Sequence, residues 1–358
     1  MEMTPLLTTP LLAFLTAMLL HAFALILFPR IGLLDFPERY GLLRARLPYP
    51  TGILTGALIV GFLLIGNETT QENGLLLSSI ALSLVCFIDD RARLSPFVRL
   101  LAQGSVAVAL FITGTRIYTL TNPLASFGLG EFLKLDAWTM ILPDVGPLPI
   151  LSGLFTIGWI FLTVNALNWF DGVPGQTSLL STIGFATIGF LSLSDRVNQP
   201  ELALIAFVLA GLAAAAALFE LPLPLARVVP GDSGAMILGL LLGVLTIYAG
   251  GKVATGFLVL GVPLVDSLIV VTRRIFAGKN PMRGSQGGEH LHHRLLARGW
   301  PQWGVLALTT GLGACFGITA LFLSTFEKFI AGVLLAMIIT ALSLWSSPTR
   351  KLQKGNSR

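Results

Sequence analysis

Three of the four histidines in this 358-residue chain lie within four positions, at His290, His292 and His293. Arg294 follows them directly, and the segment 273–301 around them is basic. Imidazole and guanidinium groups donate hydrogen bonds to anions, and imidazole is also a common metal ligand. The window therefore predicts a site for an anion such as phosphate, with a metal-binding histidine tract and a purely structural role as the alternatives.

Acidic and amide side chains form three further groups along the chain. They are Asp89 with Asp90; Asn165, Asn168 and Asp171; and Gly231-Asp232-Ser233-Gly234. An interval of three places side chains on one side of a helix end, so we expect the second group to face one way. Glycines at a helix start let a ligand approach, and we expect the free N–H groups there to bind an anion.

Carboxylates gathered at a low-dielectric surface repel one another, so a cation should lie among them. Mg²⁺ is the expected ion, with Mn²⁺ as an alternative, because it prefers hard oxygen ligands and binds substrate phosphates. Histidines are poor Mg²⁺ ligands and should instead contact phosphate oxygens, together with Arg294 and Arg99. Acidic residues, Mg²⁺ and a basic clamp are typical of phosphoryl transfer.

Asp266 stands apart, because it lies inside an apolar segment and seven residues before Arg273. An ionisable residue within a membrane span is a functional candidate. An ion pair with Arg273 at the helix end is the alternative.

The elements that must position these residues are membrane helices. The chain is 54% hydrophobic and 11% charged, with mean hydropathy +0.83, whereas soluble domains carry about 25% charged residues. We predict one all-α polytopic domain, residues 1–346, and a basic cytoplasmic tail, 347–358. Its eleven predicted spans are 5–28, 51–66, 73–88, 97–114, 150–167, 177–194, 201–219, 233–250, 253–272, 302–322 and 327–346.

The Lys and Arg residues predict the orientation of these spans. When the loops are assigned alternately, 18 of the 23 basic residues fall on the side that holds all four motifs. By the positive-inside rule this side is cytoplasmic, with the N-terminus outside and the C-terminus inside. The active site is therefore predicted at the cytoplasmic face of the membrane. On the outer side, residues 115–149 should form a short amphipathic or β-hairpin element.

The four groups resemble a known family when they are taken in order. Asp89-Asp90 is followed by Leu94-Ser95 and Arg99, and then come Asn165 to Gly172, Gly231 to Gly234, and His290 to Arg294. This order is similar to that of the polyprenyl-phosphate N-acetylhexosamine-1-phosphate transferases, which are membrane enzymes. The pattern His-Leu-His-His-Arg resembles the branch that initiates O-antigen and teichoic acid, whereas the peptidoglycan-initiating branch carries three consecutive histidines before an acidic residue.

The resemblance implies a Mg²⁺-dependent phosphoglycosyltransferase of a bacterial inner membrane. It would transfer N-acetylhexosamine 1-phosphate, in this branch GlcNAc 1-phosphate, from a UDP-sugar to undecaprenyl or another polyprenyl phosphate and release UMP. A phosphate monoester has its second pKa near 6, so the lipid phosphate needs little help from a base. We expect direct in-line attack, with an aspartyl-phosphate intermediate as the alternative.

Residue roles follow from the same resemblance. The expected metal ligands are Asp232 and Asn165. The expected catalytic residues are Asp89, Asp90, Asp171, His290, His292 and His293. The expected substrate-binding residues are Arg99, Asn168, Arg294, Asp35, Arg39 and Asp266. The first loop departs from the family pattern between Leu42 and Gly52, which leaves another UDP-N-acetylhexosamine open as the donor.

A transporter of an anionic or lipid-phosphate substrate is the alternative from another class. Transporter sites lie near the bilayer midplane, whereas nearly all the candidates here lie at helix ends. The expected partners are a UDP-N-acetylhexosamine, polyprenyl phosphate and membrane lipids, without nucleic acid. A homodimer is left open.

Overall fold

The computed structural model describes residues 3–40, 45–65, 69–92, 94–143, 146–222, 225–250, 253–280 and 288–347. These residues form α-helices joined by short loops, with a few short strands on one connection. The helices are α1 (Met3–Arg30), α2 (Pro50–Ile65), α3 (Thr70–Ala92), α4 (Pro96–Ile112), α5 (Ile150–Phe170), α6 (Gln176–Leu193), α7 (Pro200–Glu220), α8 (Gly231–Tyr248), α9 (Val253–Val259), α10 (Gly261–Phe276), α11 (Leu291–Ala297), α12 (Gln302–Ala320) and α13 (Thr325–Trp345).

Every predicted span corresponds to a helix or to a pair of helices. Within the described residues, seven helices are long and apolar enough to cross a membrane, and the bent pair α9–α10 raises the number to eight. These seven are α1, α5, α6, α7, α8, α12 and α13. The prediction of a mostly helical polytopic membrane protein is confirmed. The count of eleven spans stays a prediction, because α2 and α4 are apolar but have only 16 and 17 residues, and α3 is not among the helices that qualify.

The predicted span 253–272 consists of two helices that meet at a sharp bend. The axes of α9 and α10 differ by 85° at a break near Leu260. Pro263 has no N–H to donate, and proline is favoured in the first turn of a helix, which agrees with a new helix that starts at Gly261. A Cβ added at Gly261 would lie 2.2 Å from Leu335 Cδ2, so the bend packs directly against α13.

Helix α8 lies at the centre of the bundle. It packs against α2, α3, α5, α6, α7 and α9, and 83% of its apolar stretch is buried, against 17% for α13. A Cβ added at Gly239 would lie 2.7 Å from the carbonyl oxygen of Thr163 and 2.8 Å from Val164 Cα. Small residues allow such close approach of helix backbones in membranes. Close backbone contact with α5 therefore fixes the position of α8. It also fixes the position of the Gly231–Gly234 motif at the start of α8.

The connection between α4 and α5 contains two antiparallel hairpins. Strands β1 (Thr119–Thr121) and β2 (Phe132–Lys134) form one, and β3 (Thr139–Leu142) and β4 (Gly146–Pro149) form the other. The β-hairpin alternative for residues 115–149 is confirmed.

Replacing Gly239 with Ala is expected to lower the melting temperature in detergent by several degrees, because overpacking of a close interface costs about 1–3 kcal/mol. Gly158→Ala is the matched control, since Gly158 lies on α5 with no heavy atom within 4 Å of an added Cβ. Both changes gain the same helix propensity, about 1 kcal/mol. Equal melting temperatures for the two variants would contradict the close contact of α5 with α8.

Candidate active site

The guanidinium group of Arg99 joins three of the four motifs. Its Nη1 lies 3.1 Å from Asp89 Oδ2 and 3.1 Å from Asp232 Oδ2, and its Nη2 donates to Asn168 Oδ1 at 3.2 Å. Asn168 Nδ2 donates in turn to Asp232 Oδ1 at 3.2 Å. These residues lie at the end of α3, the start of α4, the end of α5 and the start of α8. Four helix ends therefore meet at one cation. We call Asp89, Arg99, Asn168 and Asp232 together the Arg99 cluster.

The local sequence explains how Arg99 reaches Asp89. Asp89 Oδ1 accepts a hydrogen bond from Leu94 N at 2.7 Å, which closes the turn after α3. Ser95 Oγ accepts from Val98 N and caps α4, and Pro96 occupies the first helical position. Both residues are favoured at these positions. The Asp-Asp and Leu-Ser-Pro segments thus form one turn that brings Arg99 back to the end of α3.

Asp90 has a different role from its neighbour, because its carboxylate caps α8. Oδ1 accepts from Asp232 N at 2.9 Å, and Oδ2 accepts from Ser233 Oγ at 2.7 Å and from Ser233 N at 3.3 Å. Gly231 has φ +70° and an added Cβ would lie 3.0 Å from Asp90 Oδ2, so this position favours glycine. The anion expected at these N–H groups is a side chain of the same protein.

The Asn-x-x-Asn-x-x-Asp motif does not face one way. Asn165 Nδ2 donates to Gln103 Oε1 on α4 and to the carbonyl oxygen of Phe161, both at 2.8 Å. Asn168 also faces α4, through Arg99. Asp171 instead accepts from Thr177 Oγ1 on α6 at 3.2 Å. The expectation of one shared side fails at Asp171, because this residue follows α5 with a non-helical ψ of 64°.

Asp171 nevertheless remains electrostatically part of the site. Burial raises the pKa of its carboxyl group well above the usual range, and the carboxylates of Glu220, Asp232 and Asp90 raise it further. A cation close to these groups would relieve their repulsion.

Glu220 is a site residue that the sequence interpretation did not select. It is the last residue of α7 and fully buried, and Thr51 Oγ1 donates to its Oε1 at 2.5 Å. The next residue along α2, Gly52, touches the start of α8, since an added Cβ would lie 2.3 Å from Ser233 Oγ. Glu220 thus ties the start of α2 to the end of α7, next to the point where α2 packs against α8. A single glutamate before Leu-Pro has no spacing signal that would have revealed this.

The histidine window begins α11, and the buried part of α10 holds it. His290 Nδ1 lies 2.8 Å from Asp266 Oδ2, and Leu291 N donates to Asp266 Oδ1 at 3.0 Å. The Asp266 carboxylate therefore bonds to this window rather than forming the ion pair with Arg273.

His292 connects the histidine window to the Asp-Gly motif. A Cβ added at Gly172 would lie 1.9 Å from His292 Nε2, so only glycine leaves room for this imidazole. The ring of His292 stands edge-on to Phe170 and parallel to the ring of His290. Burial lowers the pKa of His292 well below its usual value, and the neighbouring His293 and His290 lower it further. The imidazole of His292 is therefore neutral at physiological pH.

Arg294 fastens α11 to the end of α13. Its Nη1 donates to the carbonyl oxygen and Oγ of Ser343 at 3.0 and 3.2 Å, and to Ser347 Oγ at 3.2 Å. Its Nε donates to the carbonyl oxygen of Gly288 at 3.3 Å. These contacts lie within the protein, and the phosphate contact of Arg294 stays a prediction.

Asp35 shapes the first loop through its backbone partners. Its Oδ1 accepts from Leu47 N at 2.6 Å, and its own N–H donates to the carbonyl oxygen of Leu47 at 2.9 Å. Val229 N donates to the carbonyl oxygen of Pro48, which ties this loop to the segment before α8. The Arg39 side chain, residues 41–44 and the tail 348–358 lie outside the described part of the chain.

The donor set decides which metal could bind here. Among the residues that the structure describes, no three His, Cys, Asp or Glu side chains surround a common point. Mg²⁺ usually takes only one or two protein carboxylates and completes its shell with water and substrate phosphates. Asp232 in the Arg99 cluster supplies carboxylate oxygens, and Asn165, one helical turn before Asn168, supplies an amide oxygen, so the chemistry of these residues fits Mg²⁺ bound together with a diphosphate. They do not fit a metal held by histidines alone.

Acidification from pH 7.5 to 5.5 is expected to destabilise the fold through His292. Its pKa is depressed in the folded protein, so below about pH 6.5 the unfolded chain binds more protons. Stability then falls by at most about 1.4 kcal/mol per pH unit for this group. The raised pKa of Asp171 acts in the opposite direction, because the folded protein retains that proton as the pH rises.

Melting temperatures in detergent for the wild type and for His292→Gln isolate this contribution. The variant should lose less stability on acidification than the wild type. The same loss in both proteins would contradict a buried neutral imidazole at His292.

Comparison with known proteins gives a consistent result. Residues 73–250 match the sequence model of glycosyl transferase family 4, and this segment contains the whole Arg99 cluster. The undecaprenyl-phosphate alpha-N-acetylglucosaminyl 1-phosphate transferase of Escherichia coli (strain K12) is 26% identical over 321 residues, which cover 86% of this chain and 82% of the relative. The protein of that name from Yersinia pestis is 26% identical over 329 residues, with 88% and 84% covered.

A third relative is the decaprenyl-phosphate N-acetylglucosaminephosphotransferase of Mycolicibacterium smegmatis, 31% identical over 238 residues, which cover 59% of this chain and 53% of the relative. The names of these relatives agree with the branch that the histidine pattern indicates. The matched segment, these relatives and the order of the motifs together show that the chain belongs to glycosyl transferase family 4.

Proposed function

We propose that the chain transfers N-acetylglucosamine 1-phosphate from UDP-N-acetylglucosamine to a polyprenyl phosphate, and that UMP is released. The observation that carries this proposal is the meeting of three motifs at Arg99, next to a fourth motif of histidines. The names of the relatives support transfer of this sugar phosphate to undecaprenyl or decaprenyl phosphate. The UDP-linked donor is inferred from the diphosphate that such a site would bind.

The reaction needs charge neutralisation more than it needs a base. The lipid phosphate is largely dianionic at neutral pH, because the second pKa of a phosphate monoester is near 6. One of its oxygens attacks the β-phosphorus of the donor, a new P–O bond forms, and the bond to the bridging oxygen breaks. The electron pair leaves with UMP. Direct attack requires no covalent intermediate on Asp89, whose carboxylate already bonds to Arg99 and Leu94.

Arg99 is placed to bind phosphate oxygens during this reaction. A guanidinium group presents a planar set of donors that suits carboxylates and phosphates equally. Without substrate it bonds to Asp89 and Asp232. A bound diphosphate would compete for the same N–H groups.

Mg²⁺ is part of the proposal, and Asp232 and Asn165 would hold it. When bound, this ion would neutralise charge on the diphosphate and polarise its oxygens. Asp90 supports the same site indirectly, because its carboxylate accepts a hydrogen bond from Asp232 N and so fixes the backbone of Asp232.

The proposed orientation places the site at the cytoplasmic face of a bacterial inner membrane. The four motifs gather at the helix ends that adjoin the most basic loops, which the positive-inside rule assigns to the cytoplasm. The N-terminus is then outside and the C-terminus inside. This arrangement also argues against a transporter, because transporter sites lie near the bilayer midplane.

The test uses purified protein in detergent with undecaprenyl phosphate, Mg²⁺ and UDP-N-acetylglucosamine. UMP release and a lipid-linked sugar diphosphate are expected, and both should require the lipid phosphate and the metal ion. A panel of other UDP-N-acetylhexosamines examines the choice of donor. If folded protein releases no UMP from any of these donors, the proposed function is wrong.

Arg99→Lys is expected to lower kcat/KM by about 100-fold, since an ammonium group cannot bond to three partners in one plane. Arg91→Lys is the matched control, because the Arg91 side chain is exposed and lies over the Phe87 ring at 6.0 Å. UMP release measures both variants, and melting temperatures confirm that they fold. Equal activity of the two variants would remove Arg99 from the proposed mechanism.

A further inference from the structure

The carboxylate of Asp266 makes two contacts with the start of the histidine window. Oδ2 lies 2.8 Å from His290 Nδ1, and Oδ1 accepts from Leu291 N at 3.0 Å. The side chains of His290 and Asp266 are only 1% and 5% exposed. An ionised carboxylate can only accept hydrogen bonds, so Nδ1 of His290 must carry the proton in this contact.

The other ring nitrogen of His290 is left for a ligand. Nε2 is buried and has no hydrogen-bond partner within the part of the chain that the structure describes. A buried polar atom without a partner is costly, by about 1–3 kcal/mol. A ligand that bonds to Nε2 would remove this cost.

The ring of His290 lies next to residues at the end of α5. The Trp169 ring lies 6.0 Å from the His290 ring, centroid to centroid, and the His292 ring lies parallel at 5.9 Å. Trp169 directly follows Asn168, which belongs to the Arg99 cluster. The imidazole therefore lies against the end of α5, the helix end that also contributes Asn168 to the Arg99 cluster.

Two other contacts hold the same segment without touching the ring. Arg274 Nε donates to Glu289 Oε2 at 2.9 Å, and Arg294 Nη1 donates to Ser343 on α13. These contacts fix the backbone on either side of His290. The contact with Asp266 adds control over the ring itself.

We infer that Asp266 is a positioning residue, which fixes the orientation and tautomer of His290 so that Nε2 faces the phosphate oxygens of the bound substrates. The inference rests on the proposed function for the identity of the ligand. A carboxylate on Nδ1 sets the tautomer of a histidine and stabilises its imidazolium form. In that form Nε2–H donates to a phosphate oxygen and offsets the charge that develops on UMP. The sequence alone pointed to substrate contact by Asp266, whereas the structure assigns that contact to His290.

The bend between α9 and α10 is part of this arrangement. Asp266 lies in the second turn of α10, which runs at 85° to α9. A straight span through 253–272 would run in a different direction at Asp266. A bent pair of helices thus has a specific use in this chain, because the carboxylate on it orients an imidazole.

The first arm of the test reads the tautomer directly in the full-length protein. The chain has only four histidines, so ¹⁵N-histidine labelling in detergent gives few imidazole signals, and His290→Gln assigns the one that is lost. The wild type should show His290 protonated at Nδ1. Asp266→Asn should abolish this state, since an amide can donate to Nδ1 and so favours the opposite tautomer. A wild-type His290 that is neutral and protonated at Nε2 would overturn the inference.

The second arm measures UMP release. Asp266→Asn should lower kcat by 100-fold or more with little change in the KM for the donor, and Asp266→Glu should restore part of it. Glu289→Gln is the matched control, because it removes a carboxylate contact from the same loop and should leave the His290 signals and most of the activity intact. Full activity in a folded Asp266→Asn protein would also overturn the inference.

The two arms separate this inference from the proposed function. If the wild type shows the expected tautomer but no donor yields UMP, the proposed function fails and the positioning of His290 by Asp266 stands. If Asp266→Asn does not fold, the wild-type tautomer and the Asp266→Glu kinetics still decide the matter.

Discussion

One guanidinium group compensates the carboxylates that the helix ends bring together. Asp89 is almost fully buried, and Asp232 bonds to the same Arg99 nitrogen. Without this cation, two carboxylates would be left facing each other in a poorly hydrated place, which is costly for both. The meeting of α3, α4, α5 and α8 at one point therefore depends on Arg99. The same fork of N–H groups suits phosphate, so the contact that assembles the site is also one that a substrate can replace.

Two helix starts are capped by carboxylates that lie elsewhere in the sequence. Asp90 bonds to the first N–H groups of α8, 142 and 143 residues further along the chain. Asp266 does the same for Leu291 at the start of α11, 25 residues away. Neither helix has a side-chain cap at its own N-terminal flanking residue. Helix starts leave unpaired N–H groups, so satisfying them from a distance fixes where one helix begins relative to another.

The sequence was a good guide to features that depend on composition and order. Apolar segments became helices, and the motifs came together at helix ends. It could not separate Asp89 from Asp90, because neighbouring positions on a helix point about 100° apart and only the packing shows which partner each one meets. Hydropathy gives no information on the direction of a helix axis, so the bend at Leu260 was missed although Pro263 lies just after it. Glu220 and the contacts of Arg294 with α13 were missed for a related reason, since their partners Thr51 and Ser343 are distant in the sequence and carry no motif.

The contact between His292 and Gly172 joins a late part of the chain to an early one. Every member of the Arg99 cluster lies between residues 89 and 232, whereas the histidines arrive about 60 residues later. A ribosome makes and inserts the N-terminal part first. The arginine, amide and carboxylates of the Arg99 cluster are therefore all synthesised before the histidines. The full set of motifs exists only once the chain has been made as far as α11, which completes the contact with Gly172.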